Sequence, residues 1–522
     1  MKTFKNPIIP GFYPDPSICR VGEDYYLVTS SFEYFPGVPI FHSKDLVHWR
    51  QIGHVLDRPE QLNLDQTPNS RGIYAPTIRY HNGIFYMITT FVVSKKGARR
   101  NFYVTAEDPA GTWSDPIWLE GAPGIDPSLF FDDDGKVYYT GNRKPPEGQR
   151  YLKHNEIWLQ ELDLEKKQLV GPTYSLWDGA LKNAHAQEAP HLYKINGWYY
   201  LMIAEGGTGH THAVTIARSR NVTGPYEMTE NNPILTHRHL GKNHPIVNVG
   251  HADIVETQNG DWWMVCLASR PYGGYYRNLG RETFLVPFVW EDGWPIVNKG
   301  KGMIESRTEI PNLQEHKWPD TSYVDSFESA QLDYRWNFLR TPRGDFWSLT
   351  ERPGYVRLKA KKETIMEEEN PAYIGRRQQH INFFAQTVME FQPKTVNETA
   401  GIVLLQNQDF QFRVEVLLED QQPMIRLIRR EAGVEQVIEK QPIEAKKIYM
   451  KVEVIGQDYR FYYTTEPFVW KKLAHNVDGR ILSTDVAGGF VGAYIGMYCS
   501  GNGKESENYA DFDWFEYHGI EE

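Results

Sequence analysis

Residues 189–205 read APHLYKINGWYYLMIAE. A short apolar run leads into the turn Asn196-Gly197, and the pair Tyr199-Tyr200 opens a second run. Two strand-like runs around Asn-Gly form the strongest short-range hairpin pattern. The same grammar recurs in DPSICRVGEDYYLVTSS from residue 15, APTIRYHNGIFYMITTF from 75, DPSLFFDDDGKVYYTGN from 126 and ADIVETQNGDWWMVCLA from 252. Asn82-Gly83, Asp134-Gly135 and Asn259-Gly260 supply matching turns, and Tyr25-Tyr26, Phe85-Tyr86, Tyr138-Tyr139 and Trp262-Trp263 matching aromatic pairs. Further strand-like runs follow each hairpin, as in VPIFHSKDLVHWRQIG and HAVTIARSRNVTGPYEM. Four strands per unit, repeated five times, predict a five-bladed β-propeller; a β-sandwich with an accidental repeat is the alternative.

The repeat stops near residue 295, and the polar stretch NKGKGMIESRTEIPNLQEHKWPDTS reads as a connector. New alternating runs then appear, among them YVRLKA, AGIVLLQN, FQFRVEVLL, YMKVEVIG and ADFDWFEY. Their spacing predicts an antiparallel β-sandwich, and no long amphipathic helix is found. The expected division is a propeller over 1–303, a connector over 304–322 and a sandwich over 323–522.

Composition agrees with an all-β chain. Aromatic residues make up 14% of the 522 residues, with 43 Gly and 32 Pro, which favours many short strands and turns. The values of 40% hydrophobic and 24% charged exclude a mostly disordered chain. A net charge of −11 argues against nucleic-acid or anionic-membrane partners. Cys19, Cys266 and Cys499 are too sparse for a disulfide framework, and no CxxC pair suggests zinc. The N-terminus MKTFKNPIIPGFYPDPS lacks an apolar signal core, and no run of about 18 apolar residues exists, so a cytoplasmic location without a membrane partner is expected.

First strands of propeller blades line the central channel, so equivalent positions converge. Asp15 and Asp126 share one slot, Glu188 lies one residue before it in the fourth repeat, and His251 aligns with Glu188 in the fifth. Acids crowded among apolar neighbours such as Phe12, Tyr13, Ile125 and Leu129 resist ionisation together, so at least one holds its proton near neutral pH. Glycoside hydrolysis needs such a pair: one acid protonates the leaving oxygen while a carboxylate activates water or attacks. Singly, each Asp-Pro also reads as a turn initiator.

The sequence resembles glycoside hydrolase family 43, in particular its two-domain β-xylosidases, through NPIIPGFYPDPSI, FEYFPGVPIFHSKDLVHW, APTIRY, GIDPSLFFDDDG, EAPHLYK, GHADIV and LGRETF. The resemblance covers essentially the whole chain. It implies a five-bladed propeller followed by a concanavalin-like sandwich, and hydrolysis with inversion. It makes Asp15 the general base, Glu188 the general acid, and Asp126 the residue that orients Glu188 and keeps its pKa high. An inverting pair stands roughly 6.5–9.5 Å apart. It further implies substrate contacts from His251, Arg281 and Phe32; a structural histidine, a surface arginine paired with Glu282 and a core phenylalanine are the alternatives. Tyr74 departs from the tryptophan that the β-xylosidases carry before APT, which bears on the choice of sugar.

The resemblance implies no cofactor for the chemistry, but it allows structural calcium near the axis, reached from His251 through water. Asp325 and Asp513, with oxygen donors suited to calcium, are a further candidate pair. A sandwich loop over 498–506 is expected to cover the propeller mouth and favour release of single sugars; a purely stabilising sandwich is the alternative. The expected activity is exo-acting removal of xylose from the non-reducing end of β-1,4-xylo-oligosaccharides. The rival readings are an α-L-arabinofuranosidase, or dual activity, on arabinose-substituted oligosaccharides, and a non-catalytic sugar-binding propeller. A homo-oligomer is compatible with the resemblance.

Overall fold

The computed structural model describes residues 2–93, 98–467 and 469–520. Five antiparallel sheets follow one another along the first part of the chain. They begin with the strands Ser17–Val21, Thr77–His81, Ser128–Phe131, Glu188–Ile195 and Val247–Glu256, and each first strand packs against that of the next sheet until the ring closes. The five-bladed propeller is therefore present, with the repeated hairpins as its inner strand pairs. At Asn82-Gly83 and Asn196-Gly197 both turn residues have positive φ, the geometry that a tight hairpin of twisted strands requires.

A buried charge ties the inner strands together. Asp253 accepts hydrogen bonds from Ser17 Oγ at 2.7 Å, the main-chain N–H of Ile18 at 3.1 Å and Arg79 Nη1 at 2.8 Å, and also from the Tyr193 hydroxyl. Four of the five blades meet on this one carboxylate. Burial alone would raise its pKa, but Arg79, His191 and the hydrogen bonds outweigh it and hold the group far below the usual carboxylate range.

The second part folds into two antiparallel sheets. Along Lys447–Ile455 the inward residues Ile448, Met450, Val452 and Val454 alternate with more exposed ones, as a strand covered on one face requires. The two parts interlock. Thr3–Lys5 pairs with Arg307–Glu309, and Tyr34–Phe35 of blade 1 pairs with Phe338–Leu339 of the sandwich region. Arg377 Nε donates to the carbonyl of Phe12 at 2.6 Å, beside the start of the first repeat. No helix among the described residues is long and apolar enough to cross a membrane.

Candidate active site

A β-bulge at the start of the inner strand aims the key side chains. In blade 1 the N–H of Ser30 donates to the carbonyl of Pro14, yet Ser17 pairs with Val28, so Asp15 and Pro16 face the single residue Thr29. Blade 3 repeats this with Asp126 and Pro127, and blade 4 with Ala189 and Pro190, where the register shifts between Glu188 and His191. The extra residue takes a left-handed backbone: φ is 55° at Asp15, 55° at Asp126 and 54° at Ala189. Bulges of this kind re-aim side chains beside active sites.

Blade 5 corrects one alignment drawn from the sequence. Gly250 pairs with Leu267 and Ala252 with Cys266, leaving His251 as the extra residue, with φ of 49°. His251 thus occupies the position of Asp15 and Asp126, not that of Glu188. Ala252 stands where the other blades carry proline, so the sequence offers no marker for the slot.

Asp15, Asp126 and Glu188 line one cleft of about 90 Å³ together with Phe32, Tyr74, His251 and Arg281. Arg281 Nη1 donates to Asp15 Oδ1 at 2.8 Å, the Ser30 hydroxyl donates to Asp15 Oδ2, and His251 Nδ1 lies 3.5 Å from Oδ1. Burial acts to raise the pKa of Asp15, but Arg281, His251 and the Ser30 bond prevail and lower it, so Asp15 is ionised. Glu188 goes the other way: desolvation in the cleft and the negative charge of Asp15 push it up to about 7. Asp126 is raised well above the carboxylate range, by burial first and then by Glu188 and Asp15. The charge that acts on Glu188 is that of Asp15.

Arg281 is buried and is not paired with Glu282, which instead binds Arg270 at 2.7 Å. Phe32 is also buried, with φ of 51°, a strained value for a bulky residue of the kind that gathers at functional sites. It is held by reciprocal main-chain bonds with Ile73. Only glycine fits next to that bridge, since a Cβ on Gly72 would lie 2.2 Å from the Phe32 carbonyl oxygen. The Tyr74 ring lies 5.1 Å from Phe32, and its hydroxyl donates to the Ser70 carbonyl at 3.1 Å and accepts from Arg71 at 3.0 Å.

Several residues of the cleft were not anticipated: Ser30, Thr208, His212 and Phe490. Phe490 comes from the sandwich. Its ring stacks 6.1 Å from Phe32, its N–H donates to Ser70 Oγ at 2.8 Å, and its carbonyl accepts from Arg281 Nη2 at 3.3 Å. The expected cover over 498–506 is corrected accordingly. Tyr498 bonds Glu415, while Asn502 and Ser506 bond Asn397, Thr399 and Glu398, so this loop is fastened within the sandwich. The glycine pair Gly488-Gly489 before an aromatic residue was the available signal for the segment that reaches the cleft.

The candidate calcium ligands of the sandwich already have protein partners. Asp325 accepts from the N–H of Phe327 and from Trp336 Nε1, while Asp513 faces Lys447 and Tyr355. Among the described residues no group of three or more His, Cys, Asp or Glu side chains is arranged to hold a metal ion.

Carboxyls tuned to different proton affinities at one propeller mouth are the equipment of glycoside hydrolysis, and a glycoside hydrolase is the class that this fold and site define. Residues 4–295 match the model of Glycosyl hydrolases family 43, and residues 324–518 match the Beta xylosidase C-terminal Concanavalin A-like domain. The chain belongs to glycoside hydrolase family 43. It is 48% identical, over 98% of both chains, to a xylosidase/arabinosidase of Butyrivibrio fibrisolvens. It is 42% identical to a non-reducing end α-L-arabinofuranosidase of Bacteroides ovatus, over 99% of this chain and 95% of that one. Its fold overlays the crystal structure of a xylan β-1,4-xylosidase from Bacillus halodurans with a TM-score of 0.94 at 36% identity, covering 99% of this chain and 100% of that one.

Proposed function

We propose that the protein is an exo-acting, inverting β-xylosidase that releases xylose from the non-reducing end of β-1,4-xylo-oligosaccharides. The observation that carries this reading is the opposite tuning of Asp15 and Glu188 in one cleft. Asp15, already ionised, takes a proton from water as it attacks the anomeric carbon. Glu188, protonated up to about pH 7, gives its proton to the departing glycosidic oxygen. Asp126, its pKa raised by burial and by its acidic neighbours, adds no second negative charge beside Asp15. The Phe490 ring from the sandwich walls one side of the cleft, which supports release of one terminal sugar at a time. Proton NMR of the first-formed sugar tests the proposal: the inverted anomer is expected, and early retention would overturn inversion.

A second reading keeps the machinery and changes the sugar to α-L-arabinofuranose. Tyr74 favours it, because its hydroxyl is tied down by Ser70 and Arg71 and reshapes the wall beside Phe32. The names of the relatives include both activities. Rates on nitrophenyl xyloside and nitrophenyl arabinofuranoside decide between the two.

A further inference from the structure

A second cleft, of about 670 Å³, lies away from the catalytic cleft, in the seam between blade 1, the connector and the sandwich. Arg376 lines it from the strand Ala372–Arg377 and is only 6% exposed. Its guanidinium stacks 4.4 Å from the centre of the Tyr517 ring. It makes no ion pair among the described residues, its Nε has no hydrogen-bond partner, and its one side-chain bond is a long one of 3.4 Å to Gln379 Oε1. Asp333 also lines the cleft, but Arg335 holds both of its oxygens, at 2.7 and 3.2 Å. A buried cation is costly unless it is paired.

Arg50 lines the same cleft, lies 3.8 Å over the Trp318 ring and also makes no ion pair with a carboxylate among the described residues. Positive charge thus gathers here in a chain whose net charge is −11. We propose that this cleft is a binding site for a small oxyanion, with Arg376 as its floor and Arg50 at its rim. The forked guanidinium matches the paired oxygens of a carboxylate or phosphate. The carboxylate of an acidic saccharide and free phosphate share this chemistry, and the Trp318 and Tyr334 rings offer apolar surface for a sugar.

Isothermal titration of the full chain with D-glucuronate and with inorganic phosphate, at matched ionic strength, tests the site. Binding of at least one anion is expected, at least tenfold weaker in Arg376→Met, with turnover of nitrophenyl xyloside unchanged. Preference for glucuronate assigns the saccharide source, and preference for phosphate the inorganic one. Absence of binding by both anions, or full binding retained in Arg376→Met, overturns the proposal. Should that variant fail to fold, Arg50→Met at the rim decides: weakened binding supports the site, and unchanged binding overturns it. Because turnover is read separately, failure of the anion site is distinguishable from failure of the glycosidase reading.

Discussion

Arg281 binds Asp15 through a 2.8 Å bond from Nη1 to Oδ1, and it is the strongest of the groups that lower the Asp15 pKa against burial. Its other terminal nitrogen reaches the carbonyl of Phe490 at 3.3 Å. One side chain therefore sets both the charge of the proposed base and the seat of the aromatic wall.

Replacing Arg281 with Met should raise the pKa of Asp15, because its principal counter-charge is gone. The acidic limb of the kcat/KM profile should move to higher pH. Removing one partner of a buried pair costs about 3–5 kcal/mol, so urea unfolding should also show a loss of stability. A profile that keeps its acidic limb in place would remove Arg281 from this role.

The alkaline limb belongs to Glu188. Its pKa of about 7 predicts that activity falls as pH rises through that value, since the acid loses the proton it must donate. Glu188→Gln should lower kcat on substrates with poor leaving groups by about 10²–10⁴-fold, with a smaller loss on activated aryl glycosides. The alkaline limb should disappear from its pH profile.

Phe490→Ala should raise KM more than it lowers kcat, because the ring walls the cleft and carries no reacting proton. Loss of one aromatic contact, worth about 0.5–1.5 kcal/mol beyond its buried area, corresponds to a rise of several-fold. Steady-state kinetics on xylobiose would read it.

Tyr74→Phe frees the Ser70 carbonyl and Arg71 from the tyrosine hydroxyl while keeping the ring. The ratio of xyloside to arabinofuranoside rates should change, with little effect on the pH profile. An unchanged ratio would show that the hydroxyl does not shape sugar choice.

Asp253→Asn tests the hub under the cleft. At neutral pH the variant should lose roughly 3–5 kcal/mol of stability, since Arg79 is left buried beside a neutral group. The folded pKa of Asp253 is depressed, so its contribution is present above the unfolded carboxylate value of about 3.9 and is lost as pH falls through the folded value. The stability gap between parent and variant should therefore stay level from pH 7 down to about pH 4 and narrow only below that in urea titrations.

The propeller was legible because its signals are local. Asn-Gly turns and aromatic pairs act within a single hairpin, and Asp15 and Asp126 announce themselves by standing beside the repeated prolines, with Glu188 one residue further from its own. His251 was placed one residue away because Ala252 replaces the proline in blade 5. Phe490 was not legible, since its place depends on packing against Ser70 and Arg281, hundreds of residues earlier. The neighbours of Asp325 and Asp513 were not legible either: a local turn and Trp336 bond one, while Lys447 and Tyr355 face the other.

The origin of the Phe490 wall has a consequence for synthesis. Asp15, Asp126 and Glu188 leave the ribosome long before residue 490 of the 522 is made. Through that interval the chain lacks the ring and carbonyl that complete the setting of Arg281. The cleft can be complete only once residue 490 is in place, so a prematurely terminated chain would carry its cleft acids without their wall.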